Sequence, residues 1–232
     1  MNGHWIDIPT AGATGFSGYL TLPPTGKGPG IVLLQEIWGV NEHIRTVADQ
    51  YALAGYVVLA PDVFWRMSPR VDLAYDESGT EQAFGFYQKI DADQAAKDVA
   101  DAVATLRKLP ELSGKVATLG FCFGGQLAFR AAALSNADAA VCFYGGGIDQ
   151  HLDIADQIKQ PILFHYAADD AHITQGNVAA VKVAFAGKAN ATFHDYPNTD
   201  HGFNCWGRPA MYNQRAAALA EGRTLTFLAE NL

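Results

Sequence analysis

One cysteine lies in a motif that could expose it as a nucleophile. Residues 118–125 read Thr-Leu-Gly-Phe-Cys-Phe-Gly-Gly, which places Cys122 in a Gly-x-Cys-x-Gly pattern. An apolar run precedes the motif and an alanine-rich stretch, 126–134, follows it, so the pattern predicts a strand that turns sharply into a helix. Gly120 and Gly124 permit that turn and leave the thiol at its tip. The motif favours a covalent hydrolase; the alternative is a small buried cysteine in a glycine-rich turn.

A thiol nucleophile needs a nearby base, and the base needs an acidic residue to orient it. In enzymes with this motif the acid and then the histidine follow the nucleophile along the chain. Asp169 and Asp170 follow a strand-like apolar run, and His201 lies in a loop after the last predicted strand. Thr174 is a predicted helix N-cap, which favours Asp170 as the acid. We predict His201 as the base, with His172 as the alternative.

The rest of the chain predicts a scaffold that brings these loops together. Strand-like runs lie at 5–8, 15–22, 30–34, 56–60, 116–120, 139–144, 162–166 and 192–196. Helical patterns lie at 42–53, 92–108, 126–134, 175–185 and 211–229, and the aromatic-rich segment 64–90 is predicted as loop with a short helix. Strands that alternate with helices predict one α/β domain, residues 1–232, with a mostly parallel, doubly wound sheet flanked by helices.

Composition restricts the partners and the compartment. The chain has 232 residues and a formal charge of −8, which argues against nucleic acid or an anionic membrane as a partner. No apolar stretch is long enough to span a membrane, and the N-terminus lacks a basic segment followed by an apolar one, so we expect a cytoplasmic protein. Cys122, Cys142 and Cys205 are widely spaced, which predicts no disulfide, no metal site and no cofactor. The oligomeric state stays open, and a monomer is compatible with the sequence.

Several segments together match the pattern of one known family. They are Gln-Glu-Ile-Trp-Gly-Val-Asn at 35–41, the elbow motif at 120–125, the loop at Asp170, and the run from His-Gly-Phe through Arg-Pro to Ala-Ala at 201–217. On these motifs the chain resembles the dienelactone hydrolases (carboxymethylenebutenolidases) of the α/β-hydrolase superfamily over nearly its whole length. The resemblance implies an α/β-hydrolase fold and an ester or lactone hydrolase with Cys122 as nucleophile, His201 as base and Asp170 as its orienter.

The resemblance also implies roles for the loop after the third strand. The backbone N–H groups of Ile37 and Phe123 would form the oxyanion hole, and Glu36 would take part in activating the cysteine when substrate binds. The expected substrate pocket comprises Trp38, Thr80, Phe84, Tyr87, Tyr144, Phe203 and Cys205.

Substrate recognition departs from the family pattern. Dienelactone-hydrolysing members grip the substrate carboxylate with two arginines, and here Thr80 and Cys205 occupy those positions. Phe84 and Tyr87 stand where those enzymes have a tyrosine and a tryptophan. The arginines that could compensate are Arg66, Arg70 and Arg208. Three readings follow: a dienelactone hydrolase-like enzyme, a broader carboxylesterase or thioesterase acting on neutral substrates, and a non-catalytic protein that binds a ligand or senses oxidation.

Overall fold

Eight strands form one mixed sheet in the computed structural model, which describes residues 3–232. In chain order they are β1 (His4–Asp7), β2 (Ser17–Thr21), β3 (Gly28–Leu34), β4 (Val57–Pro61), β5 (Leu112–Phe121), β6 (Ala139–Phe143), β7 (Ile162–Ala167) and β8 (Ala191–Tyr196). Across the sheet the order is β1-β2-β4-β3-β5-β6-β7-β8. Neighbours from β4 to β8 pair in parallel, and β1 and β2 add an antiparallel edge. The predicted mostly parallel, doubly wound sheet is confirmed.

Helices cover both faces of the sheet. They are α1 (Glu42–Leu53), α2 (Glu77–Tyr87), α3 (Ala92–Leu106), α4 (Phe123–Leu134), α5 (Gln175–Ala184) and α6 (Gln214–Asn231). Because the central strands are buried on both sides, they consist of nearly unbroken apolar residues, as in the Val-Val-Leu-Ala-Pro of β4. No helix within residues 3–232 is long and apolar enough to cross a membrane.

Most element boundaries differ from the sequence prediction by one to four residues, and two of the larger differences have a structural reason. Helix α4 begins at Phe123, three residues before the predicted start, because the sharp turn at the end of β5 leads directly into it. The glycines at 124 and 125 have low helix propensity, and the sequence pattern therefore missed the first turn. Strand β5 begins at Leu112 rather than at 116, since its exposed first residues are not apolar.

One fully buried histidine in the sheet has a hydrogen-bond partner for each ring nitrogen, as buried polar groups usually do. The His165 ring on β7 is fully buried and lies 2.8 Å from the Tyr196 hydroxyl through Nδ1 and 3.0 Å from Thr224 Oγ1 through Nε2. Cys142 on β6 is also buried. Both residues belong to the core.

The turn between β5 and α4 depends on close contact between backbone atoms. Cys122 has φ 56° and ψ −117°, a region that side chains rarely adopt. A Cβ on Gly120 would lie 2.0 Å from the Gly124 carbonyl oxygen, and a Cβ on Gly124 would lie 2.3 Å from the Leu34 carbonyl oxygen. Strand, turn and neighbouring strand therefore pack at distances that only glycine allows.

Replacing Gly120 with Ala should destabilise the protein by about 3 kcal/mol or more, because the added methyl group meets a backbone oxygen that cannot rotate away. Urea unfolding followed by circular dichroism measures the change. Gly222→Ala is the matched control: it lies inside α6 with open space around its Cβ, and it should leave stability unchanged or raise it by about 0.5–1 kcal/mol. Equal stability of the two variants would contradict the packing argument.

Candidate active site

A histidine and an aspartate from separate loops meet at the carboxyl edge of the sheet. The loop after β7 carries Asp170 and the loop after β8 carries His201, whose Nδ1–H donates to Asp170 Oδ2 at 2.9 Å. The other carboxylate oxygen, Oδ1, accepts backbone N–H groups from His172 at 2.8 Å and Ile173 at 2.9 Å. Both oxygens are therefore held, and the carboxylate fixes the orientation of the imidazole.

The neighbouring candidates occupy other positions. The backbone N–H of Asp169 donates to Thr199 O at 3.0 Å. His172 is exposed, and its ring packs edge-on against His201 with 5.1 Å between ring centroids. Thr174 caps α5 and forms a capping box with Asn177, as the sequence predicted for a helix start there. The structure thus brings Asp170 rather than Asp169 to the histidine, and it puts His172 beside the ring as a covering residue.

Charges in the site change the protonation of His201. Burial alone would lower the pKa of His201, but charge on Cys122 and hydrogen bonds to Asp170 and Cys122 raise it to about 10. Burial would raise the pKa of the Asp170 carboxyl; its hydrogen bond to His201 and the two backbone amides reverse this and lower the pKa. At neutral pH this arrangement favours a protonated imidazole.

Cys122 lies at the tip of the turn that leads from β5 into α4. It is partly exposed, whereas Cys142 and Cys205 are buried. Its backbone N–H donates to Phe143 O at 3.0 Å, which fixes the turn against β6. Phe123 is the first residue of α4, so its N–H has no acceptor within the helix and lies at the positive end of the helix dipole.

The loop after β3 is tied to a distant segment that precedes α2. Gly39 has φ +83°, and a Cβ there would lie 2.0 Å from Val71 O. Leu73 N–H donates to Trp38 O at 3.0 Å, and Asn41 Nδ2 donates to Leu73 O at 3.2 Å. These contacts place the segment of Tyr75 against the loop that carries Glu36 and Ile37.

Glu36 is buried and held by a phenol. The Tyr75 hydroxyl donates to Glu36 Oε2 at 2.8 Å. Burial and the Glu36 charge raise the pKa of Tyr75 far above its ordinary value, so the phenol stays a donor. Arg208 Nη1 lies 4.0 Å from Glu36 Oε1, and the guanidinium stacks over Trp38 with 4.8 Å to the ring centroid.

The predicted pocket residues fall into three groups: those beside His201 and Phe123, those near Glu36, and two on α2 that, within residues 3–232, form no hydrogen bond or ring contact with either. Tyr144 has φ 35°, and its buried ring lies 5.1 Å from the His201 ring and 5.4 Å from that of Phe203, between centroids. On α2, Tyr87 packs against Phe123 at 5.4 Å, and burial together with the charge of Cys122 raises its pKa. Trp38 packs edge-on against Tyr75, the residue that bonds Glu36, with 5.0 Å between ring centroids. Burial and the charge of Glu36 raise the pKa of Cys205.

Thr80 and Phe84 also lie on α2, but no hydrogen bond or aromatic contact among residues 3–232 joins either side chain to the triad. Phe84 is exposed.

Two of the three candidate arginines have other partners. Arg66 forms a two-pronged ion pair with the buried Asp98, at 3.0 and 2.8 Å. Arg70 lies over the Trp5 ring at 5.0 Å. Of the three, Arg208 is the one whose guanidinium contacts predicted site residues, and these are Glu36 and Trp38.

Sequence reasoning missed two neighbours of Glu36. Tyr75 belongs to the irregular aromatic segment, and nothing in its spacing marks it as a partner of a residue 39 positions earlier. His43 precedes Cys122 along the chain and so fails the expected chain order of a triad. The structure nevertheless gathers side-chain donor atoms of Glu36, His43 and Cys205 within 4.8 Å of one another.

Comparison with known sequences gives one consistent result. The model of the dienelactone hydrolase family matches residues 16–232. Carboxymethylenebutenolidase 1 of Cupriavidus pinatubonensis is 32% identical over 225 residues, covering 97% of this chain and 95% of its own. A carboxymethylenebutenolidase of Pseudomonas putida is 33% identical over 215 residues, covering 92% of this chain and 91% of its own.

Solved structures agree with this result. A putative dienelactone hydrolase from Klebsiella pneumoniae superposes with a TM-score of 0.84 at 28% identity and 98% coverage of both chains. A dienelactone hydrolase-like promiscuous phosphotriesterase from metagenomic libraries superposes with a TM-score of 0.82 at 26% identity, covering 99% of this chain and 98% of its own.

Replacing Cys122 with Ala should lower the pKa of His201 below its value of about 10, because the charge and the hydrogen bond that oppose burial are removed. An NMR titration of the imidazole resonances measures this pKa directly. Cys142→Ala, which removes a buried core thiol, is the control and should leave the titration in place. An unchanged pKa in Cys122→Ala would show that the thiol does not interact with the ring.

Proposed function

The chain belongs to the dienelactone hydrolase family, and from that premise we propose that it hydrolyses an activated ester or a lactone through a covalent thioester on Cys122. The observation that carries the proposal is the buried 2.9 Å hydrogen bond from His201 to Asp170, on an imidazole whose pKa is also raised by the charge of Cys122. This is the nucleophile, base and orienting acid that covalent catalysis requires. The substrate is a small molecule, and no cofactor is needed.

Acylation begins with attack of the Cys122 sulfur on the substrate carbonyl carbon. The carbonyl oxygen becomes an oxyanion and accepts hydrogen bonds from the backbone N–H groups of Phe123 and Ile37. When the carbon–oxygen bond to the leaving group breaks, the proton on His201 passes to the departing alkoxide or enolate. The acyl group stays on sulfur as a thioester.

Deacylation uses the same residues, but His201 now acts as a base instead of an acid. Neutral His201 takes a proton from a water molecule, which attacks the thioester carbonyl. The carbon–sulfur bond breaks, and the carboxylic acid and the thiolate of Cys122 separate. Asp170 keeps the imidazole oriented through both halves.

Chemistry at sulfur favours activated substrates. A thiolate is itself a good leaving group, so the first tetrahedral intermediate returns to substrate unless the other group departs easily. An enol ester or an activated lactone has such a group, and an amide does not. The substrate class is therefore esters and lactones with stabilised leaving groups, in keeping with relatives named carboxymethylenebutenolidases.

Glu36 is proposed to assist when substrate binds. Tyr75 and Arg208 hold its carboxylate away from hydrogen-bond contact with the thiol, with Tyr75 as the direct donor. A substrate that enters the pocket and shifts these contacts frees the carboxylate to carry the proton of a still protonated Cys122 thiol to His201, which gives the thiolate and imidazolium from which acylation starts. The activation step is then linked to occupancy of the site.

A second candidate, a carboxylesterase or thioesterase for neutral substrates, rests on the charges that face the pocket. Thr80 and Cys205 replace the two carboxylate-gripping arginines of the resemblance, and Cys205 is buried beside Glu36. Arg66 is paired with Asp98, and Arg208 already neighbours Glu36. An anionic substrate would therefore meet a negatively charged site, because Glu36 and Asp170 are close by, without a free guanidinium.

The compartment is part of the same proposal. Three free cysteines suit a reducing environment, and we place the enzyme in the cytoplasm on that ground.

Cys122→Ala should reduce turnover of an aryl ester by a factor of roughly 10⁴ or more, because no nucleophile remains to form the thioester. Release of the phenol, followed by absorbance, measures the rate. Mass spectrometry of the wild type quenched during turnover should show the acyl mass on the peptide that contains Cys122. Cys142→Ala is the matched control and should keep its activity. Activity retained in Cys122→Ala would rule out the covalent mechanism.

The enzyme should hydrolyse the methyl ester of an anionic lactone with a kcat/KM at least about tenfold above that of the free acid, because one lost charge-assisted hydrogen bond costs about 1.5–3 kcal/mol. Steady-state rates on the two forms of the same lactone give the ratio of the two kcat/KM values. Because both forms share one leaving group, the ratio reports the effect of the charge. A strong preference for the anion would contradict the argument from Thr80 and Cys205 and would favour a dienelactone hydrolase that uses Arg208.

A further inference from the structure

Three potential metal ligands from two distant parts of the chain meet beside the active site. Glu36 follows β3, His43 lies in the first turn of α1, and Cys205 follows His201 by four residues. One oxygen, one nitrogen and one sulfur from these side chains lie within 4.8 Å of one another. All three side chains are more than nine-tenths buried.

Two of the polar atoms in this cluster lack a hydrogen-bond partner. Glu36 Oε1 and His43 Nδ1 are both buried and unpaired among the described residues. Such atoms are rare in folded proteins because burial without a partner costs about 1–3 kcal/mol. Tyr75 occupies only the second oxygen of Glu36, and Arg208 at 4.0 Å lies beyond hydrogen-bond distance of the first. Glu36 Oε1 is thus a buried acceptor to which none of its described neighbours donates a hydrogen bond.

The types of donor atom point to one kind of ion. Thiolate, imidazole and carboxylate are the ligands of tetrahedral zinc sites, and three protein ligands leave a fourth position for water. The bond lengths of such a site require neighbouring ligand atoms about 3.3–3.7 Å apart. Because the present separations are at most 4.8 Å, side-chain movements of about an ångström would close the site.

We propose that Glu36, His43 and Cys205 bind a zinc ion, and that the bound ion inhibits the enzyme by withdrawing Glu36 from the cysteine nucleophile. The proposal that zinc binds here rests on the three clustered side chains alone. The inhibitory half rests on the proposed function, in which Glu36 helps to activate Cys122. Binding releases the thiol proton of Cys205 to solvent, and a water completes the tetrahedron.

The catalytic pair is the main competitor for the ion, since Cys122 and His201 also offer sulfur and nitrogen. The two sites can be separated because they share no ligand. His201 already uses Nδ1 for Asp170, and His43 has no hydrogen bond to another side chain within residues 3–232. A variant that lacks the Cys122 thiol keeps the whole proposed site and removes the competitor.

The test uses Co²⁺ as a spectroscopic substitute for zinc in the full-length Cys122→Ala protein. A thiolate bound to Co²⁺ gives an intense charge-transfer absorption, so we expect this band to form on titration and to disappear when Zn²⁺ is added. Adding Cys205→Ala should abolish it, and adding His43→Gln should weaken Co²⁺ binding by about tenfold or more. Adding Cys142→Ala, the buried-thiol control, should leave it unchanged.

Two outcomes overturn the site. Absence of the band from the Cys122→Ala protein shows that the three residues do not bind the ion, whatever the further variants do. Persistence of the band after Cys205→Ala shows that another thiol is the ligand. Near-ultraviolet circular dichroism of each variant checks that the fold is kept.

Inhibition is measured separately, as the Zn²⁺ concentration that halves the wild-type rate on an aryl ester. We expect chelation to restore the rate and His43→Gln to need at least about tenfold more zinc. Cobalt binding without zinc inhibition would leave the site in place and overturn the link through Glu36. An active-site titration of Cys122 on the same samples shows whether the covalent mechanism itself has failed.

Discussion

The close approach of three backbone segments at the end of β5 is the constraint on which the site depends. Gly120, Gly124 and the Leu34 carbonyl are packed so tightly that no side chain fits between them, and Cys122 is forced into a left-handed conformation as the chain reverses. This geometry costs conformational energy, which the surrounding sheet has to offset. In return the thiol projects over the sheet edge where the loops after β3, β7 and β8 also end. Parallel pairing, rather than any contact between the loops, places all four at the same edge.

At this edge of the sheet two carboxylates, those of Asp170 and Glu36, have different hydrogen-bond partners. On one side Asp170 and Cys122 hold His201 as a cation, and the two carboxylate oxygens of Asp170 are both satisfied. On the other side Glu36 is only half satisfied, with Tyr75 on one oxygen and a more distant Arg208 near the other. A fully bonded carboxylate is a fixed part of the frame, whereas a half-bonded one can change partners at low cost. We therefore expect different roles for the two acids, because both oxygens of Asp170 are hydrogen-bonded and only one oxygen of Glu36 is.

The sequence predicted those parts of the molecule that depend on local patterns. Buried parallel strands are recognisable as apolar runs, and the helical pattern at 42–53 matches α1. The chain order and the predicted N-cap at Thr174 singled out His201 and Asp170, which the structure joins by a 2.9 Å hydrogen bond. Contacts that depend on how loops fold over one another had no such signal. Tyr75 reaches Glu36 only because Gly39 lets the 35–41 loop pass against Val71, and His43 meets Cys205 only after α1 has packed onto the sheet. The early start of α4 was missed for a related reason, since a turn imposed by neighbouring strands overrode the low helix propensity of two glycines.

The chain order of the site also bears on biosynthesis. Cys122 precedes Asp170 by 48 residues and His201 by 79, and β8 and α6 still have to be made after the acid has left the ribosome. During synthesis, folding proceeds from the N-terminal part of a chain. The elbow can therefore form on the nascent polypeptide while its thiol is still an ordinary cysteine, without an imidazolium to stabilise the thiolate. On the proposed mechanism, reactivity begins when the last strand docks on β7, so that an incomplete chain would carry its nucleophile in an inert state.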